Sequence, residues 1–94
     1  MKKETKKLTL SIQERQGLKE ITGFLPSTTF DIIEEMMDFR KALEIAGPQE
    51  PETKTFELSP KLVQVIHVGM QRLEGVYPTE LNLQLWKKIE KLNG

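Results

Sequence analysis

SPKLVQVIHVGMQRLEG, residues Ser59 to Gly75, carries a helix start, an apolar face and a helix stop in one run. Ser59 is a good N-cap, Pro60 suits the first helical position because its missing N–H has no partner there, and Gly75 can take the left-handed turn that closes a helix. At about 100° per residue, Leu62, Val63, Val65, Ile66, Gly69, Met70 and Leu73 share one wide arc, and Lys61, Gln64, His67, Gln71, Arg72 and Glu74 lie opposite. The segment is expected to be the central core helix, with Gly69 letting another backbone come close.

Just before it, Phe56, Glu57 and Leu58 alternate apolar and polar, as do Leu8, Thr9 and Leu10 near the start, and each triplet reads as a short half-buried strand. Ser11 follows the first triplet as Ser59 follows the second. Ser11 and Glu14 form the S-x-x-E capping box of a helix from Ile12 to about Thr22. Only Ile12, Leu18 and Ile21 are apolar there, and Gly17 costs about 1 kcal/mol relative to alanine, so this helix has to depend on packing. Pro26 ends it, and Ser27, Thr28 and Thr29 are candidate caps for the next helix. That helix runs from Phe30 to Ile45 with an apolar arc of Phe30, Ile32, Ile33, Met36, Met37, Phe39 and Leu43. Gly47 and Pro48 stop it, and GPQEPETKT reads as an exposed connector. Past Pro78, Thr79 caps a last helix to about Leu92, whose inner stripe is Leu81, Leu85, Ile89 and Leu92.

The two halves thus share one grammar. The expected fold class is mostly α, of the α+β kind: four helices in two pseudo-repeated strand-helix-turn-helix units, related by an approximate twofold, with one short two-stranded antiparallel pair. A single domain of 94 residues divides into a basic tail (1–7), a first unit (8–46), a connector (47–55) and a second unit (56–94). The tail has no apolar side chain after Met1 and is expected to be dispensable for folding.

Fourteen basic and fourteen acidic side chains cancel, which removes the electrostatic footprint of a dedicated nucleic-acid binder. Their distribution is uneven: MKKETKK and WKKIEK are basic, whereas Asp31 to Glu57 holds eight acids and three bases. No cysteine is present, so disulfides, thiolate zinc sites and cysteine nucleophiles are excluded and a reducing compartment suits the chain. No run approaches the roughly 20 apolar residues of a membrane span. A cytoplasmic protein without membrane attachment is expected.

LTLSIQER near the start, the proline-ended first helix, and FELSPKLVQVIHVGMQRLEG followed by an amphipathic helix together resemble a group of short phage and prophage proteins of unknown function. The resemblance covers most of the chain as a pattern and includes no catalytic motif. It implies a location in the host cytoplasm and a regulatory or anti-defence role. The middle connector of this chain is short for that group.

Four features qualify as sites. Asp31, Glu34, Glu35 and Asp38 lie on one outer face of the second helix, where i,i+4 acids repel slightly; such a face is either solvated or a docking surface for a basic partner, since a straight helix lacks the carbonyl ligands of a calcium loop. Leu83 and Trp86 point away from the inner stripe of the last helix, and Val68 stands among polar residues on the central one; Trp86 is either a contact anchor between proteins or a core residue under a helix that is rotated or covered by the N-terminal strand. His67, the single histidine, has no partner at metal-ligand or general-base spacing and reads as a surface residue. Lys87, Lys88 and Lys91 follow a helix-turn-helix pattern across Gly75 to Pro78, but they sit at the far end of the second helix, away from where a recognition helix meets bases.

With no Gly-rich phosphate loop, no nucleophile beside a base and no metal-ligand spacing, no enzyme, cofactor or metal is expected. The leading expectation is a small non-catalytic intracellular interaction or regulatory protein with a protein partner, able to form a homo-oligomer through the last helix. A nucleic-acid accessory protein using the basic ends, and a protein that sequesters a small ligand between its halves, are the alternatives.

Overall fold

The computed structural model describes residues 4–23, 29–72 and 79–93. Among these the elements are β1 (Lys6–Ser11), α1 (Ile12–Thr22), α2 (Phe30–Ala42), β2 (Thr53–Leu58), α3 (Pro60–Gln71) and α4 (Glu80–Asn93). The α+β class therefore holds, with four helices and one two-stranded antiparallel sheet. The expected roles of Leu73 and Gly75, of Pro26, and of the caps Ser27 and Thr28 lie outside the described residues.

Each helix start follows from local chemistry. Ser11 accepts from the Glu14 amide at 3.2 Å while Glu14 Oε1 accepts from the Ser11 amide at 3.0 Å, so the capping box is complete. Thr29 caps α2, Ser59 caps α3 with Pro60 in its first turn, and Thr79 accepts from the Asn82 amide at 3.2 Å.

The strands pair as Lys6↔Leu58 through Ser11↔Thr53, with Leu8 opposite Phe56. Leu8, Leu10, Phe56 and Leu58 all point into the core, where they meet Leu18 and Ile21, the α2 stripe Ile32, Met36, Phe39 and Leu43, the α3 trio Leu62, Val63 and Ile66, and Leu85 and Ile89 of α4. α4 packs against β1, α1 and α3, and α2 packs against α1 and α3.

Four expectations need correction. The strand starts at Lys6, so the basic tail is shorter than residues 1–7; backbone pairing is indifferent to side chain, and Lys6 is further held by donating to the Leu92 carbonyl at 2.7 Å. The second helix ends at Ala42 rather than Ile45, because Glu44 turns toward Lys19 at 3.1 Å and the Ala46 amide donates to Glu50. Its apolar arc is narrower than periodicity implied: among the described residues α1, α3 and Phe56 of β2 lie against its inner side, and Phe30, Ile33 and Met37 face out, with Phe30 89% and Met37 60% exposed. A close approach between helices lies at Gly17, where an added Cβ would sit 3.2 Å from side-chain carbons of both Leu81 and Leu85; Gly69 is half-buried.

The connector is not simply exposed either. Arg15 is fully buried and donates to the Ser11 carbonyl, to Glu50 Oε1 at 2.8 Å and to the Pro51 carbonyl, while the Ile12 amide donates to the Glu52 carbonyl at 3.1 Å. Glu50 and Pro51 are thereby stitched to the first turn of α1, and β2 begins immediately after them.

Arg15→Ala is expected to lower stability by about 3 kcal/mol or more, since removing one partner of a buried ion pair strands the others. Arg15→Lys should recover little of this, because one ammonium cannot reach partners that a planar fork spans. Urea midpoints of the two variants check both statements; wild-type midpoints would show that the clamp contributes nothing.

Candidate interaction site

The acids of α2 do not behave as one set. Glu35 is half-buried, and its two oxygens accept from the Ser59 hydroxyl at 2.6 Å and the Ser59 amide at 3.0 Å. In the first capping box Glu14 performs this task from its own helix, but α3 has Leu62 at the equivalent place, and the carboxylate comes from α2 instead. The expectation of Glu35 on a free outer face is corrected accordingly. Asp31, Glu34 and Asp38 are exposed and have no ion pair or hydrogen-bond partner among the described residues.

These three carboxylates form a stripe along α2. On one side of it lies the exposed apolar ridge Phe30, Ile33 and Met37, spaced i, i+3, i+7. On the other side lies a groove of about 630 Å³ between α2 and β2, floored by Phe39, Ala42 and Phe56 and walled by Glu35, Asp38 and Glu57, with Lys7 at its rim. The two phenyl rings meet edge to face, 5.6 Å apart at 83°, a favourable aromatic geometry. Periodicity placed Phe30, Ile33 and Met37 in the core, so the apolar half of this surface was missed; six residues of the seven-residue arc lie on the 13-residue helix, and Ile32, Met36 and Phe39 are the ones buried.

The α4 patch is smaller than expected. Leu83 is 53% exposed, but Trp86 is half-buried, its ring stacked on His67 at 4.7 Å and 15°. His67 in turn lies 3.5 Å from Asn93 Nδ2. The imidazole from α3 partly shields the tryptophan, and Val68 is half-buried too. The basic ends are also partly committed: Lys88 donates to the Thr9 carbonyl at 2.9 Å and to Glu14 at 2.8 Å, and Lys6 to Leu92.

Burial pushes the Glu14 carboxyl up, but the hydrogen bonds from Lys88 and the Ser11 amide, with the Lys88 charge, outweigh it and hold the group below the ordinary carboxylate range. Among the described residues no three acids or histidines come together to hold a metal ion, and no helix is long and apolar enough to cross a membrane. Comparison with protein families, with known proteins and with solved structures finds no match.

Two predictions arise here. Because the folded-state pKa of Glu14 is lowered, the stability it contributes is fully present above the ordinary value of about 4.3 and is lost as pH falls through the lowered one. The urea midpoint of wild type should exceed that of Glu14→Gln near neutral pH and converge on it in acid; a constant difference would contradict this. For the aromatic stack, His67→Ala should uncover Trp86 and move its emission to the red with helical circular dichroism unchanged. An unmoved spectrum would mean that the imidazole does not shield the indole.

Proposed function

We propose that the protein is a small non-catalytic interaction protein that binds a basic protein partner on the outer side of α2. The single observation that carries this reading is the exposed ridge Phe30, Ile33 and Met37 beside the uncompensated carboxylates Asp31, Glu34 and Asp38. An apolar strip of this kind, bordered by three carboxylates with Lys41 among them, is unfavourable when left in water and suits an apolar contact steered by lysine or arginine. The resemblance to short phage proteins supports a regulatory role inside a host cell, and the cysteine-free composition suits a reducing cytoplasm. Nucleic acid is a poorer candidate, since the exposed charge at this surface is negative. Self-association through α4 is a second reading, favoured by the exposure of Leu83 beside half-covered Trp86.

The same proposal treats the chain as two copies of one unit. When Ser11 is laid on Ser59, Leu8 falls on Phe56, Leu10 on Leu58 and Leu18 on Ile66, all buried. That agreement supports the reading of two related units.

Affinity capture from host lysate with wild type, with Asp31, Glu34 and Asp38 all changed to lysine, and with Phe30→Ser/Met37→Ser is the test. A protein retained by wild type, released by raised salt and lost with both variants is the expected result. Retention of the same proteins by all three baits rejects the α2 surface, and loss only on Leu83→Ser or Trp86→Ala transfers the role to α4.

A further inference from the structure

A two-stranded sheet has two unpaired edges, and here they are treated differently. The edge of β1 is covered by α4, whose Lys88 ammonium donates to the Thr9 carbonyl. That bond shows which way Thr9 faces: its carbonyl points out of the ladder. In antiparallel pairing, opposed residues either exchange both backbone bonds or turn both outward, so Thr9↔Thr55 is an outward pair. The 2.8 Å contact between the Thr9 and Thr55 hydroxyls fits the closer side-chain spacing of such a pair. The N–H and C=O of Thr55 therefore point to the outer edge of β2, and by the period of two so do those of Glu57 and Thr53. Among the described residues nothing bonds to them.

We propose that this edge accepts an extended lysine- or arginine-bearing protein segment as a third strand, seated in the groove between β2 and α2. The backbone of Thr55 and Glu57 supplies the ladder, Phe39, Ala42 and Phe56 supply an apolar floor for alternate side chains, and Glu35, Asp38 and Glu57 outnumber Lys7 on the walls. That charge selects the occupant. The β2 of a second copy carries Lys54 as well as Glu57 and would bring no net charge to these walls, whereas a basic strand neutralises them. The inference rests on the reading of the α2 side as an interaction surface, and it names the mode of binding and the chemistry of the segment.

The test uses the intact protein and two acetylated, amidated hexapeptides, one alternating lysine with valine and one alternating glutamate with valine. Amide hydrogen exchange read by NMR should show Thr55 and Glu57 exchanging quickly in the free protein and slowing about tenfold or more with the lysine peptide, and not with the glutamate peptide. Thr55→Pro removes an outward N–H while leaving the β1 ladder intact, so it should abolish the slowing and keep Phe56 and Leu58 protected. Asp38→Lys, on an exposed helix position, should weaken the lysine peptide about tenfold even if the proline variant does not fold. Equal effects of both peptides, slowing confined to β1, or undiminished binding by Asp38→Lys would each overturn the proposal. A lysine peptide that binds through Phe30 and Met37 without changing Thr55 and Glu57 overturns it while leaving the α2 surface standing. Slowing at β2 with unchanged lysate capture by the α2 variants does the reverse.

Discussion

The guanidinium of Arg15 is the constraint on which the rest of the molecule depends. Burying a charge costs several kcal/mol unless its partners are close and well aligned, so the loop that carries Glu50 and the Pro51 carbonyl is bound to stay at the first turn of α1. Together with the Ile12–Glu52 backbone bond, this determines where β2 begins, and so its register against β1. A slip of one residue would turn Phe56 and Leu58 to water and bring Thr55 and Glu57 inward. The free edge, the groove beside it and the acidic wall above it all inherit their positions from that one buried cation.

Glu35 makes a second long-range tie of a different kind. The two strand-to-helix junctions face the same problem, an unpaired Ser amide at the helix start, and solve it with a carboxylate from within the helix in one case and from α2 in the other. The start of α3 is therefore joined to the helix that presents the ridge and the stripe. A partner that drew Glu35 away would leave the Ser59 amide without its acceptor while the Ser59 hydroxyl still capped Leu62, so binding on this side bears on the start of the central helix through one side chain.

What was legible in the sequence was chemistry contained within about one turn. The Ser11–Glu14 box, the Ser59-Pro60 start, the Thr79 cap and the Leu85–Ile89 stripe are each set by residues three or four apart, and each appears where periodicity and capping put it. The alternation at Leu8–Leu10 and Phe56–Leu58 revealed the strands but not their length, since backbone pairing extends as far as a partner strand runs, through lysines included. Hidden from it were the ties between distant residues. Arg15 looked like one polar residue on a thin helix, Glu50 like part of a solvated connector, Glu35 like one of four equivalent acids, and His67 gave no sign of lying over Trp86. The width of an apolar arc also says nothing about how much of it neighbours will cover, which is why Phe30, Ile33 and Met37 were assigned to the core and why the outer surface of α2 was only half seen.

The pairing of Lys6 with Leu58 has a consequence for how the chain folds as it is made. β1 leaves the ribosome before its ladder partner, which follows about forty to fifty residues later, and the carboxylate that answers Arg15 is also on the far side of α2. Closing so long a loop before any reward is collected slows folding, and a nascent first half would hold an unmatched strand and an arginine with no counter-ion to bury. α1 and α2 can form as fluctuating helices during synthesis, but the cooperative step waits for β2 to emerge. Until then β1 is a bare strand available to other chains, and the polar side chains Lys7, Thr9 and Ser11 that alternate along it are what blunt that hazard.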